Sequence, residues 1–144
     1  MNLFTIGYER LSAAQFFPIL AKNGIKRIID VRLYNTSVYA GYTRQRDFQY
    51  FLSLFGIGYH HLSDAAPDKA LLSGYKAGKI SWQEYEGRYT ELITSRELSL
   101  DVQDRDCLLC FEREPEQCHR RVYGEMLIRA GMVDEIHHIR EAGL

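Results

Sequence analysis

The sequence predicts an α/β domain, three-layered and Rossmann-like, with a mostly parallel sheet of about five strands flanked by helices. Short apolar runs alternate with helical patterns along the whole chain, which is the signature of βαβ units. One of those runs, "IKRIIDV", is apolar at both parities, as a strand covered on both faces must be. Capping signals and glycine stops separate the segments. At 144 residues, with 46% apolar and 26% charged residues, the chain is read as a single domain over 1–144 with one substantial core.

"NLFTI" (Asn2 to Ile6) is the first strand, closed by Gly7. In "SAAQFFPILAKNG", Ser12 and Gln15 form a capping box, Ala13, Phe16, Phe17 and Leu20 make an apolar stripe, and Gly24 ends the helix. Pro18 interrupts that pattern. Ile25 to Val31 is the second strand, followed by the polar loop "RLYNTSVYAGY". A helix then carries Phe48, Phe51, Leu52 and Phe55 on one side and stops at Gly56. Ile57 to Leu62 is the third strand, and "PDKALLSGYKAGK" fits a short helix. A longer helix starts at a second capping box, Ser81 with Glu84, and bears Trp82, Tyr85, Tyr89, Leu92 and Ile93. Asp106 to Glu112 is the fourth strand. Pro115 suits the first turn of the next helix, with Val122, Tyr123, Met126, Leu127 and Ala130 inward and Gly131 as stop. Val133 to Ile139 is the fifth strand.

A formal charge of −1 argues against whole-molecule attraction to nucleic acid or an anionic membrane. No apolar run is long enough for a membrane span, and "MNLFTIGYER" has neither a basic flank nor an apolar stretch of the signal-peptide kind. A cytoplasmic protein is the expectation. Three cysteines then read as thiols, not as a disulfide framework.

Open parallel sheets bind ligands beyond the carboxyl ends of their strands, and here the strand ends are polar. The first delivers Gly7, Tyr8 and Glu9, and the second Asp30 and Arg32. The third delivers Tyr59, His60 and His61, and the fourth Glu112 ahead of Cys118, His119 and Arg120. Arg32 and Arg120 are candidate anion-holding groups, with the helix amino terminus beside Arg120. Asp30 or Glu112 is the candidate acid or base, assisted by His61 or His119. Tyr8, Tyr42 and Tyr59 are candidates to orient a ring, with Gly7 admitting the ligand closely. The competing reading is structural. Asp30 and Arg32 point to the same side of an extended chain and can simply pair, and Arg120 can fasten its helix to the sheet. His137 and His138 carry no charged motif beside them and read as structural.

Cys118 has two readings as well. A first-turn position favours a thiolate, whereas its spacing to Val122 and Met126 turns it toward the core as a small hydrophobe. Cys107 and Cys110 are three apart on a strand and face opposite sides, so C-x-x-C cannot chelate. No metal and no cofactor are expected. The partner expected is a small anionic or phosphate-bearing molecule, nucleotide-like in the fuller version. The alternative is a ligand-sensing or nucleic-acid-associated module using Arg44 and Arg46 of "YTRQR".

"FTIGY", "IDVR", "GIGYHHL" and "LLCFEREPEQCHR", in that order and spacing, resemble the domain of unknown function 488 family. The resemblance implies an α/β fold with the matched polar residues gathered at one edge, and no activity. Family members often have His-Ser where this chain has Tyr8-Glu9, and a Leu-Gly-Gly stretch where it has "LSDAAPDK". "IIDVR" is also similar to the opening of rhodanese domains, which makes sulfur transfer through Cys118 a lesser alternative.

Overall fold

Five parallel strands carry the fold, in a computed structural model that describes residues 1–36, 41–98 and 100–140. In chain order the elements are β1 (Asn2–Gly7), α1 (Ala13–Lys22), β2 (Arg27–Asp30), α2 (Gln45–Leu54), β3 (Gly58–His61), α3 (Lys69–Lys76), α4 (Trp82–Arg96), β4 (Asp106–Cys110), α5 (His119–Arg129) and β5 (Glu135–Ile139). The strands lie in the order β3-β2-β4-β1-β5, every pair parallel. Of the predicted loop from Arg32 to Tyr42, residues 37–40 lie outside the described ones.

The predicted start signals act locally. Ser12 and Gln15 complete both bonds of their capping box, and the helix runs through Pro18, which stands on its exposed face. Ser81 caps α4 by accepting from the Glu84 amide at 3.1 Å. The reciprocal half is replaced by an ion pair of Glu84 with Arg88.

Strand parity divides the core in two. Ile28, Cys107 and Leu109 face α1 and α2, packing with Phe16, Phe17, Phe48 and Leu52. Ile29, Val31, Leu108 and Cys110 face the other layer, with Tyr85, Tyr89, Val122, Tyr123 and Leu127 of α4 and α5. This is the three-layer arrangement expected, and it confirms that Cys107 and Cys110 point to opposite faces.

Several boundaries differ from the prediction. β2 is shorter at both ends, and β4 stops at Cys110 instead of Glu112. Beyond that point the chain bends across the end of β1, where the Tyr8 amide donates to the Cys110 carbonyl at 3.3 Å and Glu9 to Phe111 at 2.9 Å. α5 begins at His119, not near Pro115. Residues 115–118 form a turn closed by the Cys118 amide on the Pro115 carbonyl, and Cys118 is extended, with φ −136 and ψ 137. The physical reason is that Cys118, His119 and Arg120 are all buried. Three consecutive residues sweep too wide an arc for one helical face, so Cys118 is turned inward by the extended chain just ahead of the helix, and His119 and Arg120 by its first turn.

The topology places a crevice. From β1 the chain crosses by α1 to β2 and on to β3, while from β4 it crosses by α5 to β5 on the opposite side. β1 and β4 are neighbours whose connections leave in opposite directions, the arrangement that opens a ligand site at the carboxyl ends. No helix is long and apolar enough to cross a membrane.

Gly7 sits at that junction. A Cβ there would lie 1.6 Å from the Glu112 carbonyl oxygen, so the β4–α5 loop can cross β1 only over a residue without a side chain. The requirement for glycine at position 7 thus has a packing cause. Gly7→Ala should lower stability by about 2–3 kcal/mol through overpacking, read as a lower urea midpoint at an unchanged slope.

Candidate functional site

A cavity of about 390 Å³ lies over the carboxyl ends of β1, β2 and β4. Its walls are aromatic, with Tyr8, Tyr34, Tyr75, Trp82, Tyr85 and Phe111. Its floor holds Cys110, Glu112, Cys118 and His119, and Arg32 and Lys76 also line it. Trp82 and Tyr85 stack with centroids 5.1 Å apart, and Tyr75 meets Tyr85 at 4.9 Å. Tyr34 is 55% exposed and Lys76 is exposed, which puts both at the edge.

Arg32 is saturated. Its Nε and Nη2 donate to the two oxygens of Asp30 at 2.8 and 2.7 Å. Nη1 reaches the Tyr8 hydroxyl at 3.2 Å and Thr43 Oγ1 at 3.1 Å, and Nη2 also reaches the Thr43 carbonyl at 2.8 Å. A guanidinium has five N–H donors, and all are engaged within the protein. Burial pulls its pKa down, but Asp30 and Tyr8 outweigh that and raise it. Asp30 is equally engaged, accepting in addition from the Arg32 amide and the Tyr59 hydroxyl. The pair is fully buried and self-contained, the structural alternative of the sequence reading.

His61 and Tyr59 belong to this network. Asn35 donates to the Tyr59 hydroxyl at 3.2 Å and lies 3.1 Å from His61 Nδ1, and His61 Nε2 donates to the Arg32 carbonyl at 2.9 Å. Tyr42 donates to the Leu11 carbonyl; burial pushes its pKa up to about 12. None of the three lines the cavity. Arg44 and Arg46 are exposed beside Asp47 at the start of α2 and form no basic patch of their own.

Arg120 lies outside the cavity too. It is wholly buried and, among the described residues, donates only to neutral oxygens: Thr5 Oγ1 at 3.1 Å and the carbonyls of Glu112 and Arg113. It fastens the loop after β4 to the centre of β1. The expected meeting of Arg32 and Arg120 around an anion is therefore corrected, because both point their donors into the protein. Thr5 carries the chain one step further, its Oγ1 lying 2.7 Å from His138 Nδ1. The Thr5 hydroxyl thus links Arg120 to His138 across the sheet.

At the floor, Cys110 Sγ lies 3.6 Å from Glu112 Oε2 and 3.8 Å from both ring nitrogens of His119. His119 Nε2 donates to the Val31 carbonyl at 2.7 Å, which leaves Nδ1 with its lone pair. Cys118 is buried, and that burial raises its thiol pKa well above the ordinary value, with His119 and Arg120 opposing too weakly. Of the two readings of Cys118, burial favours the small hydrophobe over the helix-terminus thiolate, because desolvation outweighs the nearby cations. Cys107, on the opposite face, is likewise pushed up by burial.

Of the predicted site residues, the fold brings Tyr8, Glu112, Cys118 and His119 to one cavity, with Arg32 as wall. It adds Cys110, Trp82, Tyr85, Tyr75, Tyr34, Phe111 and Lys76. The aromatic stripe of α4 signalled only an inward face; which part of that face borders a cavity depends on where α3 and the loop after β4 stop.

The pattern of a family described as "Domain of unknown function DUF488" matches residues 12–127. No curated protein and no solved structure matches.

Two outcomes follow from the networks. Asp30→Asn leaves a buried guanidinium without its carboxylate and should cost about 3–5 kcal/mol, read by urea unfolding. Burial, then Arg120 and Arg140, hold the His138 imidazole below its ordinary pKa, so the unfolded chain binds its proton more readily. The stabilisation is complete above the unfolded pKa of about 6.5 and is lost as pH falls through it. Denaturation midpoints from pH 7.5 to 5 should therefore decline less in His138→Gln than in the parent protein.

Proposed function

The chain belongs to the family described as domain of unknown function DUF488, and on that footing we propose that it is a small enzyme whose cavity takes a planar heteroaromatic molecule of the nucleobase or nucleoside class. The observation that carries this reading is the pairing of aromatic walls with an ionisable floor inside one cavity at the strand carboxyl ends. Flat rings stack favourably on Trp and Tyr whatever their hydrogen-bonding pattern, at about 1–3 kcal/mol each. Glu112 and Gln117 then offer acceptors and donors for the ring edge. Glu112, beside the Cys110 thiol, is the group suited to proton transfer.

Charge limits the ligand. With Arg32 and Arg120 engaged inside the protein, Lys76 is the cation left at the cavity's lining. The surface next to it carries Glu9, Glu112, Glu114 and Glu116, of which Glu114 and Glu116 share Arg140 at 2.9 and 2.6 Å. One phosphate can be met at Lys76, whereas a triphosphate would face several carboxylates. A nucleoside or its monophosphate fits this balance best.

Trp82 is the single tryptophan, so its emission reports directly on occupation of the cavity. Titration with nucleosides, monophosphates and triphosphates should change that emission, with triphosphates weakest. Tyr34→Ala, at the exposed edge, should weaken the best ligand about tenfold while leaving the reporter in place. A panel that leaves Trp82 emission unmoved, or one led by triphosphates, overturns the reading.

A further inference from the structure

The floor of the cavity supports a second function, independent of which organic ligand the walls accept. We propose that Cys110, Cys118 and His119 form a binding site for one divalent cation of the zinc class, with its fourth side open to the cavity.

Three observations carry this. First, the candidate donor atoms of these residues all lie within 4.8 Å of one another, and Cys110 Sγ is 3.8 Å from the His119 ring nitrogens. Around a tetrahedral zinc ion, bonds of roughly 2.3 Å to sulfur and 2.0 Å to nitrogen set ligand–ligand edges of about 3.6–3.8 Å. The spacing of the donors is close to that geometry, and a turn of the imidazole that brings Nδ1 nearer the sulfurs than Nε2 would complete it.

Second, the tautomer of His119 is already that of a metal ligand. Its Nε2 donates to the Val31 carbonyl at 2.7 Å, which fixes the tautomer and presents the Nδ1 lone pair; metal-bound histidines characteristically engage their other nitrogen this way. Third, the donors come from two elements, the end of β4 and the start of α5, and all three border the cavity. Three protein ligands with one open side is the arrangement of a catalytic ion, not of a closed structural one.

The donor set selects the ion. Two sulfurs and one imidazole suit zinc, whereas magnesium and calcium prefer oxygen. Binding is an exchange in which the two thiols release two protons and the cation takes their place. The two thiolates balance the double charge, so the site is neutral overall and compatible with burial. Glu112 Oε2, 3.6 Å from Cys110 Sγ, stands where a released proton can be accepted.

Cobalt(II) tests this with the full chain, reduced by a non-thiol reductant. One equivalent should produce a thiolate-to-cobalt charge-transfer band with the intensity of two thiolates, and one equivalent of zinc should abolish it by displacement. Cys118→Ala and Cys110→Ala should each at least halve the band, and Cys107→Ala, on the opposite face of the sheet, should keep it. Absence of the band in the folded, reduced parent protein overturns the proposal. So does a band that persists at full strength in both Cys110→Ala and Cys118→Ala. Should either variant fail to fold, the parent titration still decides, because the intensity counts the thiolates. The result is separate from the nucleoside reading, since it is obtained without any organic ligand.

Discussion

The hold of Arg120 on the loop after β4 is the contact on which the site depends. A buried guanidinium normally has a carboxylate partner; here, among the described residues, it is met by Thr5 and two backbone carbonyls. Those carbonyls belong to Glu112 and Arg113, in the segment that must cross β1 before α5 can begin. Gly7 leaves room for the crossing, and Arg120 binds the crossing chain from beneath. Together with the hydrogen bond of His119 to the Val31 carbonyl, this clamp sets the distance from Cys110, at the end of β4, to Cys118 and His119, at the entry to α5. The floor of the cavity is a consequence of the clamp.

A second buried arginine fastens the neighbouring edge. Arg32 ties the end of β2 to Tyr8 after β1 and to Thr43 ahead of α2, with Asp30 compensating its charge. Each arginine thus ties the chain leaving one strand to a neighbouring segment through several oxygens at once. Arginine suits this work because its planar fork serves several acceptors at once. The consequence for chemistry is a site whose arginines are structural, leaving thiols, an imidazole, a carboxylate, aromatic rings and Lys76 at its edge to meet a ligand.

Burial shapes the reactivity of what remains. Cys118 is held as a neutral thiol by desolvation, and the Tyr85 phenol is likewise pushed up by burial. Such a lining suits the flat, weakly charged ligand that we propose, and a dication held by two thiolates would leave that charge balance unchanged. The nucleoside and metal proposals meet at Glu112, which borders both the cavity and the sulfur cluster.

The sequence alone determined the layers. Strand runs apolar at both parities, the capping residues Ser12 and Ser81 and stops such as Gly24 and Gly56 are local features, because they depend on dihedral preference and on burial of each residue's own neighbours. Parity also separated Cys107 from Cys110, since side chains on a strand must alternate. The roles of Arg32, Arg120, His61 and Cys118 were not legible to the same depth. Sequence placed Arg32 and His61 at strand ends and Cys118 and Arg120 at the helix start after β4, and could not say whether their polar atoms turn toward solvent or toward one another. That choice rests on contacts between residues far apart in the chain, such as Arg120 with Thr5 and His119 with Val31, and on the crossing of the loop after β4 over Gly7. Tertiary structure decided it, because a buried donor must find whichever acceptor the folded backbone brings within reach.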